Sequence, residues 1–301
     1  MSATAALTAV SPRSGRPTLA GAVRSELLKL GRHALTWVLV AGFAAVSALV
    51  LGAFLLSPTP RDTLERSPST FYFTYLSSAE QVFTIAAGAL LLIVSSRLTS
   101  MEYGNGTIRI VLARGTGRLS LLAAQYVALA VVGLLLLAGF AVVAAAALYA
   151  AVVAWHGSFS PITSLPAGAW TDTGINVLVA LLSIAVCILL GTAAAVLGRS
   201  VAFGVGAAVA FFPTDNFGTL VLSLVTRLTH QDLWSRVTAY LLGPVLNQLP
   251  VVLQTDHPSR PSFATPLQPV DATHCWVVIA IYTTLFLATA VVLTWRRDVL
   301  H

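Results

Sequence analysis

Residues 119–153 read LSLLAAQYVALAVVGLLLLAGFAVVAAAALYAAVV, and no Asp, Glu, Lys or Arg occurs anywhere between Arg118 and Asp172. A hydrocarbon core of about 30 Å takes roughly 20 helical residues. This run is longer than one crossing requires, so it is expected to form a long helix that projects beyond the bilayer. Outward from it, other charge-poor stretches of suitable length mark further spans. The first is residues 37–56. The second is 79–96, with Glu80 near its outer end and Arg97 closing it; the fourth is 175–197 and the sixth 275–295. The fifth, 201–225, is irregular, because Pro213, Asp215 and Asn216 interrupt its apolar pattern.

Composition agrees with lipid as the main solvent. The 301 residues are 57% hydrophobic and only 9% charged, with a mean hydropathy of +0.85, whereas soluble domains carry roughly a quarter charged residues. Water-soluble enzymes, disordered segments and nucleic-acid-binding domains are excluded, since none tolerates repeated apolar runs of this length. The net charge of +6 therefore concerns membrane orientation and not nucleic acid. Cys187 and Cys275 each fall in an apolar run and are expected as buried thiols. Trp37, Trp155, Trp276 and Trp295 lie near span ends, the usual aromatic-belt placement.

The fold class expected is an all-α membrane protein of six transmembrane helices. Residues 1–17 are small, polar and Pro-containing and read as a mobile cytoplasmic tail, and residues 18–301 as a single transmembrane domain. From Thr18, Leu19, Val23, Leu27 and Leu30 share one helical face, with Arg24, Glu26 and Lys29 off it. Such a pattern predicts an amphipathic helix on the membrane surface. After Arg227, residues 240–253 are apolar but hold Gly243, Pro244, Asn247 and Pro250. They are too short and too broken to cross, so a re-entrant or interfacial segment is expected between spans five and six. Residues 255–269 read as an exposed Pro- and Ser-rich loop.

Six spans place both termini on one side. The tail, the loop between spans two and three, Arg199 and the C-terminus then hold 12 of the 17 basic residues, with three acids, Glu26, Glu102 and Asp298. The positive-inside rule makes that side the cytoplasm of a cell membrane.

Catalytic patterns are absent from the sequence: it has no HExxH, GxSxG or CxxC, and its His residues do not fall at metal-ligand spacing. A Walker A loop needs a Lys for the terminal phosphates. The only Lys is Lys29, which follows Glu26-Leu27-Leu28 and not a Gly-rich turn. The chain is thus expected to bind no cofactor itself. If ATP drives its work, another polypeptide holds the nucleotide.

Intramembrane ionisable groups cost on the order of 3 kcal/mol at mid-bilayer unless paired or wetted. Asp215 with Asn216 is therefore a candidate polar point on a translocation path, the alternative being an interfacial turn or helix cap. Glu80 and Arg97 read as boundary residues. The most organised polar stretch is residues 97–118, RLTSMEYGNGTIRIVLARGTGR. It reads as a span end, a Gly-rich turn, and a short helix over 108–113 that Thr107 can cap and Gly115 can end. Arg109, Arg114 and Arg118 give it a basic surface, with Glu102 the only acid nearby. It is either a solvated turn or a docking helix held below spans two and three.

Glu102, Gly106 and Thr107, followed by Ile108, Arg109 and, at the start of the long span, Arg118, resemble the segment of ABC-2 type permeases that carries an E-x-x-x-G-T signature and a basic residue. Ser25-Glu26-Leu27-Leu28-Lys29-Leu30 resembles that family's amphipathic helix before span one. Trp295-Arg296-Arg297-Asp298-Val299 resembles its closing aromatic-Arg-Arg-Asp. Gly115 departs from the pattern, which often has Pro before the final basic residue. The resemblance implies the permease subunit of an ABC exporter: two permease chains pair, as homo- or heterodimer, and two ATPase subunits bind ATP and Mg beneath them. It implies that Glu102, Gly106, Thr107, Ile108, Arg109, Arg114 and Arg118 couple to the ATPase, with Arg24, Glu26 and Lys29 on the supporting interfacial helix. It also places spans two and five against the partner permease. A reading of a different class is a passive channel or membrane anchor that uses the same loop to bind a cytoplasmic partner.

Overall fold

The computed structural model describes residues 18–104, 117–254 and 264–296. Among them every regular element is helical. The tail 1–17, residues 105–116 with Gly106, Thr107, Ile108, Arg109 and Arg114, and the C-terminal residues 297–301 lie outside the described residues.

Helix α1 spans Leu19–Arg32. It starts where Thr18 Oγ1 accepts the Gly21 N–H at 3.2 Å, a side-chain cap that satisfies one orphan donor. Its inward face differs from the expectation. Glu26 and Leu30 are the buried residues, whereas Leu19 and Leu28 are about half exposed. A carboxylate therefore points into the protein where the apolar pattern had placed it outward, and the reason lies in its partner, described below.

Helix α2 (Ala34–Leu56) follows, then the short α3 (Pro58–Arg66), which opens on Pro58, a favoured residue in a first helical turn. Helix α4 runs from Pro68 to Gly104, well beyond the expected 79–96. Its first turns are held by Phe71, Tyr72 and Tyr75, all buried, so apolar packing extends the helix past the charge-poor window. Helix α5 covers Arg118–His156, α6 is the single turn Ser160–Thr163, and α7 covers Ala167–Gly198. A tight turn with Arg199 at φ 53 leads into α8 (Val201–Thr229), capped by Ser200 on the Phe203 N–H. Helix α9 (Asp232–Val237), a 3-10 turn at Thr238–Tyr240, α10 (Leu242–Leu253) and α11 (Ala272–Arg296) complete the order.

Five helices, α2, α4, α5, α7 and α11, are long and apolar enough to cross a membrane. The remaining expected span, the fifth, falls on α8. The interruption expected at 213–216 is not a break, because the helical backbone continues from Val201 to Thr229. Proline within a membrane helix is tolerated where neighbouring helices support the freed backbone, and α8 packs against both α4 and α7.

Helices α4 and α7 form the centre, each with 67% of its apolar window buried, against 11% for α2. They approach closely because their contact is made of small residues. A Cβ on Gly191 of α7 would lie 2.0 Å from Ser95 Oγ of α4 and 3.0 Å from the Leu92 carbonyl oxygen. A Cβ on Gly204 of α8 would meet Ser96 and Ser100 Oγ at 2.7 Å each. The outer helices attach through aromatic rings, Phe43 of α2, Phe83 of α4 and Phe140 of α5, with centroids 5.3–6.1 Å apart. Helix α10 buries Leu242, Pro244, Val245, Leu249 and Pro250 against α7, α8 and α11. The broken apolar segment is thus a helix packed on protein. Cys187 and Cys275 are free and buried.

Candidate coupling site at the base of the helices

The third turn of α1 brings Glu26 and Lys29 to one side. Residues three apart on a helix are neighbours, and Lys29 Nζ lies 2.7 Å from Glu26 Oε1. The same ammonium lies 2.5 Å from Glu102 Oε1, 73 residues later at the end of α4. Glu26 is 1% and Glu102 6% exposed, while the Lys29 side chain is 40% exposed. One cation at the rim thereby serves two buried carboxylates, which is why Glu26 can face inward.

Burial pushes the Glu26 carboxyl above the ordinary carboxylate range; Lys29 opposes the rise and the charge on Glu102 adds to it. Burial disfavours the charged form of Lys29, but its bonds to Glu102 and Glu26 outweigh that and hold it above the usual lysine value. Each carboxylate next to an ammonium favours the charged lysine. Glu26 Oε2 is buried without a hydrogen-bond partner among the described residues, so the bridge satisfies only one of its oxygens.

Just above the bridge, Thr99 Oγ1 of α4 donates to Gln125 Oε1 of α5 at 3.2 Å, both buried. Helix α1 itself packs on α5 and α2. The end of α4, the start of α5 and helix α1 are therefore joined at the point where the chain leaves α4 and re-enters α5 at Arg118.

Of the residues the sequence singled out, Glu26, Lys29 and Glu102 come together, and Arg118 opens α5. Arg24 lies on the exposed side of α1. Asp215 is elsewhere, buried on α8, where its carboxylate accepts the backbone N–H of Gly243 and interacts with that of Leu242. These are the first residues of α10, whose own N-cap position is Leu241 with no capping side chain. Asp215 supplies the missing cap from another helix, and its charge suits the positive end of the α10 dipole. Asn216 is the next residue on α8.

Sequence reasoning missed the partnership of Lys29 with Glu102 and the role of Gln125. The one usable signal was that a chain with 17 basic residues contains a single lysine, placed three residues after a glutamate.

No curated protein matches the chain. Residues 22–215 match the family model described as ABC-2 family transporter protein, a stretch that contains Glu26, Lys29, Glu102, Arg118 and Asp215. That family is a membrane component of ABC transporters, associated in general with an ABC ATPase subunit. With about two-thirds of its length matched, the chain belongs to the ABC-2 transporter family.

Proposed function

We propose that this permease subunit is half of an exporter, coupled to separate ATPase chains through the base formed by Glu26, Lys29 and Glu102. In this reading α8 crosses the membrane as the fifth of six spans, both termini are cytoplasmic, and two permease chains pair. Residues 102–118, with Gly106, Thr107, Ile108, Arg109, Arg114 and Arg118, seat on the ATPase, which holds ATP and Mg. The single observation that carries it is the Lys29 bridge. It ties the interfacial helix to the exact residue from which the 102–118 segment departs, so a push on that segment reaches α1, α4 and α5 as one body. Tight small-residue contacts between α4 and α7 would pass the push on as rigid movement, the usual mode when packed helices shift. Asp215 contributes by holding α10, which caps the outward side.

The test is Glu102→Ala, alongside disruption of Gly106 and Thr107. Both variants should insert and be retained in the membrane at wild-type level while ATP-driven transport falls to the level seen without ATPase. Normal ATP-driven transport in both overturns the coupling assignment.

A further inference from the structure

A cavity of about 410 Å³ lies between α4, α5 and α7, within the 300–1,000 Å³ of small-molecule sites. Its wall is mostly aromatic and aliphatic, including Phe83, Phe140 and Trp170, with polar groups from Glu80, Thr173, Asn176 and the phenols of Tyr72 and Tyr75. No basic side chain lines it, and among the described residues Glu80 forms no ion pair. The amide of Asn176 donates to the Asp172 carbonyl at 2.9 Å, which fixes its orientation. Its carbonyl oxygen is then left buried with no hydrogen-bond partner among the described residues, and Asn176 is only 4% exposed. The phenols in the wall are already engaged: Tyr72 with Thr173 at 2.7 Å, and Tyr75 donating to the Ala144 carbonyl at 2.7 Å. Among the buried side-chain groups of its wall, what is left unsatisfied is the Asn176 carbonyl oxygen, and Glu80 adds a carboxylate without an ion pair.

Glu80 lies about 33 Å along α4 from Glu102, at about 1.5 Å per residue, so the cavity is remote from the coupling base. Trp170, at its edge, is 51% exposed, which opens the site sideways to the surroundings of the helices. A carboxylate within a span is costly unless something compensates it. Aromatic faces attract cations, and an unpaired acceptor wants an N–H donor.

We propose that this cavity binds a lipophilic ammonium, a protonated amine on a compact apolar body, with its charge at Glu80 and an N–H on the Asn176 carbonyl. As a statement about cargo it rests on the exporter reading; as a binding site it does not. The test uses the purified full-length chain without any ATPase, and measures equilibrium binding of tritiated adamantylamine with competition by adamantanol, its uncharged match. The amine should bind at least about tenfold more tightly than the alcohol, the least that a charge-assisted hydrogen bond supplies. Glu80→Gln should remove that preference, and Glu80→Asp should keep part of it. Ala180→Phe, which fills the cavity and leaves Glu80 in place, should abolish binding in protein that remains monodisperse. Equal affinity for amine and alcohol, which would mark a neutral lipid-like occupant, overturns the proposal, as does undiminished amine binding in Glu80→Gln. Amine binding retained in Glu102→Ala, with transport lost, would separate this site from the coupling base.

Discussion

Lys29 is a single cation held between two buried carboxylates, and removing it leaves Glu26 and Glu102 side by side with like charge. Breaking a fully buried pair costs about 3–5 kcal/mol. Lys29 is 40% exposed, so solvent screens part of the interaction, and Lys29→Met is expected to cost roughly 1–3 kcal/mol. The measurement is thermal unfolding of the chain in detergent. Glu26→Gln added to Lys29→Met should recover part of the loss, because it removes one of the two opposed charges; no recovery would show that the carboxylates do not repel. The pH dependence follows from the directions of the shifts. Glu26 titrates above its unfolded value, so its contribution is complete below the ordinary carboxylate range and is lost as pH rises through its folded value. Lys29 also titrates above its unfolded value, so its contribution persists below the ordinary lysine range and is lost as pH rises further. Wild-type stability should therefore show an alkaline decline that Lys29→Met lacks.

Among elements, α10 shows how a helix too short to stand alone is placed. It has 12 residues, an internal Pro250 and no capping side chain of its own, and isolated helices of that length are marginal. Its N-terminus is held by Asp215, so Asp215→Ala should destabilise the α8–α10 contact by about 0.5–2 kcal/mol. Hydrogen exchange of the Leu242 and Gly243 amides would report it directly. Exchange unchanged from wild type would mean that the carboxylate does not hold α10. Helices α4 and α8 carry a different lesson. Charge-poor windows located both, yet α4 extends to Pro68 because aromatic residues beyond the window are buried, and α8 continues through Pro213 because neighbouring helices pack on it. Hydropathy marks where lipid can be met, whereas helix ends depend on packing that hydropathy does not contain.

At the scale of the whole molecule, orientation turns on whether α8 crosses. The native thiols Cys187 and Cys275 are buried, so an impermeant maleimide should report only introduced cysteines. With six spans, Asp62→Cys on α3 should label in intact cells, whereas Ser2→Cys and His301→Cys should label only after permeabilisation. Labelling of His301→Cys but not Ser2→Cys in intact cells would give an odd number of spans and remove α8 from the count. The labelling decides what charge does not: without α8 as a span, Arg296 and Arg297 leave the cytoplasmic face but Arg227, Arg236 and Arg260 join it, so basic residues favour that face with either count.

Lipid as the main solvent, the helical class, the approximate position of each apolar helix and the family resemblance are all legible in the chain. All of these follow from local composition and from short spacings along one chain. Two parts of the candidate coupling site, Ser25-Glu26-Leu27-Leu28-Lys29 and Glu102 with the segment after it, were legible as separate stretches. It takes the packing of the helices to make Lys29 join them, turn Glu26 inward, set Asp215 as the cap of α10 and bring Glu80 and Asn176 into one cavity. Each of these depends on side chains tens of residues apart meeting in a low-dielectric interior, where an unpaired charge or acceptor is expensive. No periodicity records such a meeting, because it is set by which helices pack together and at what height.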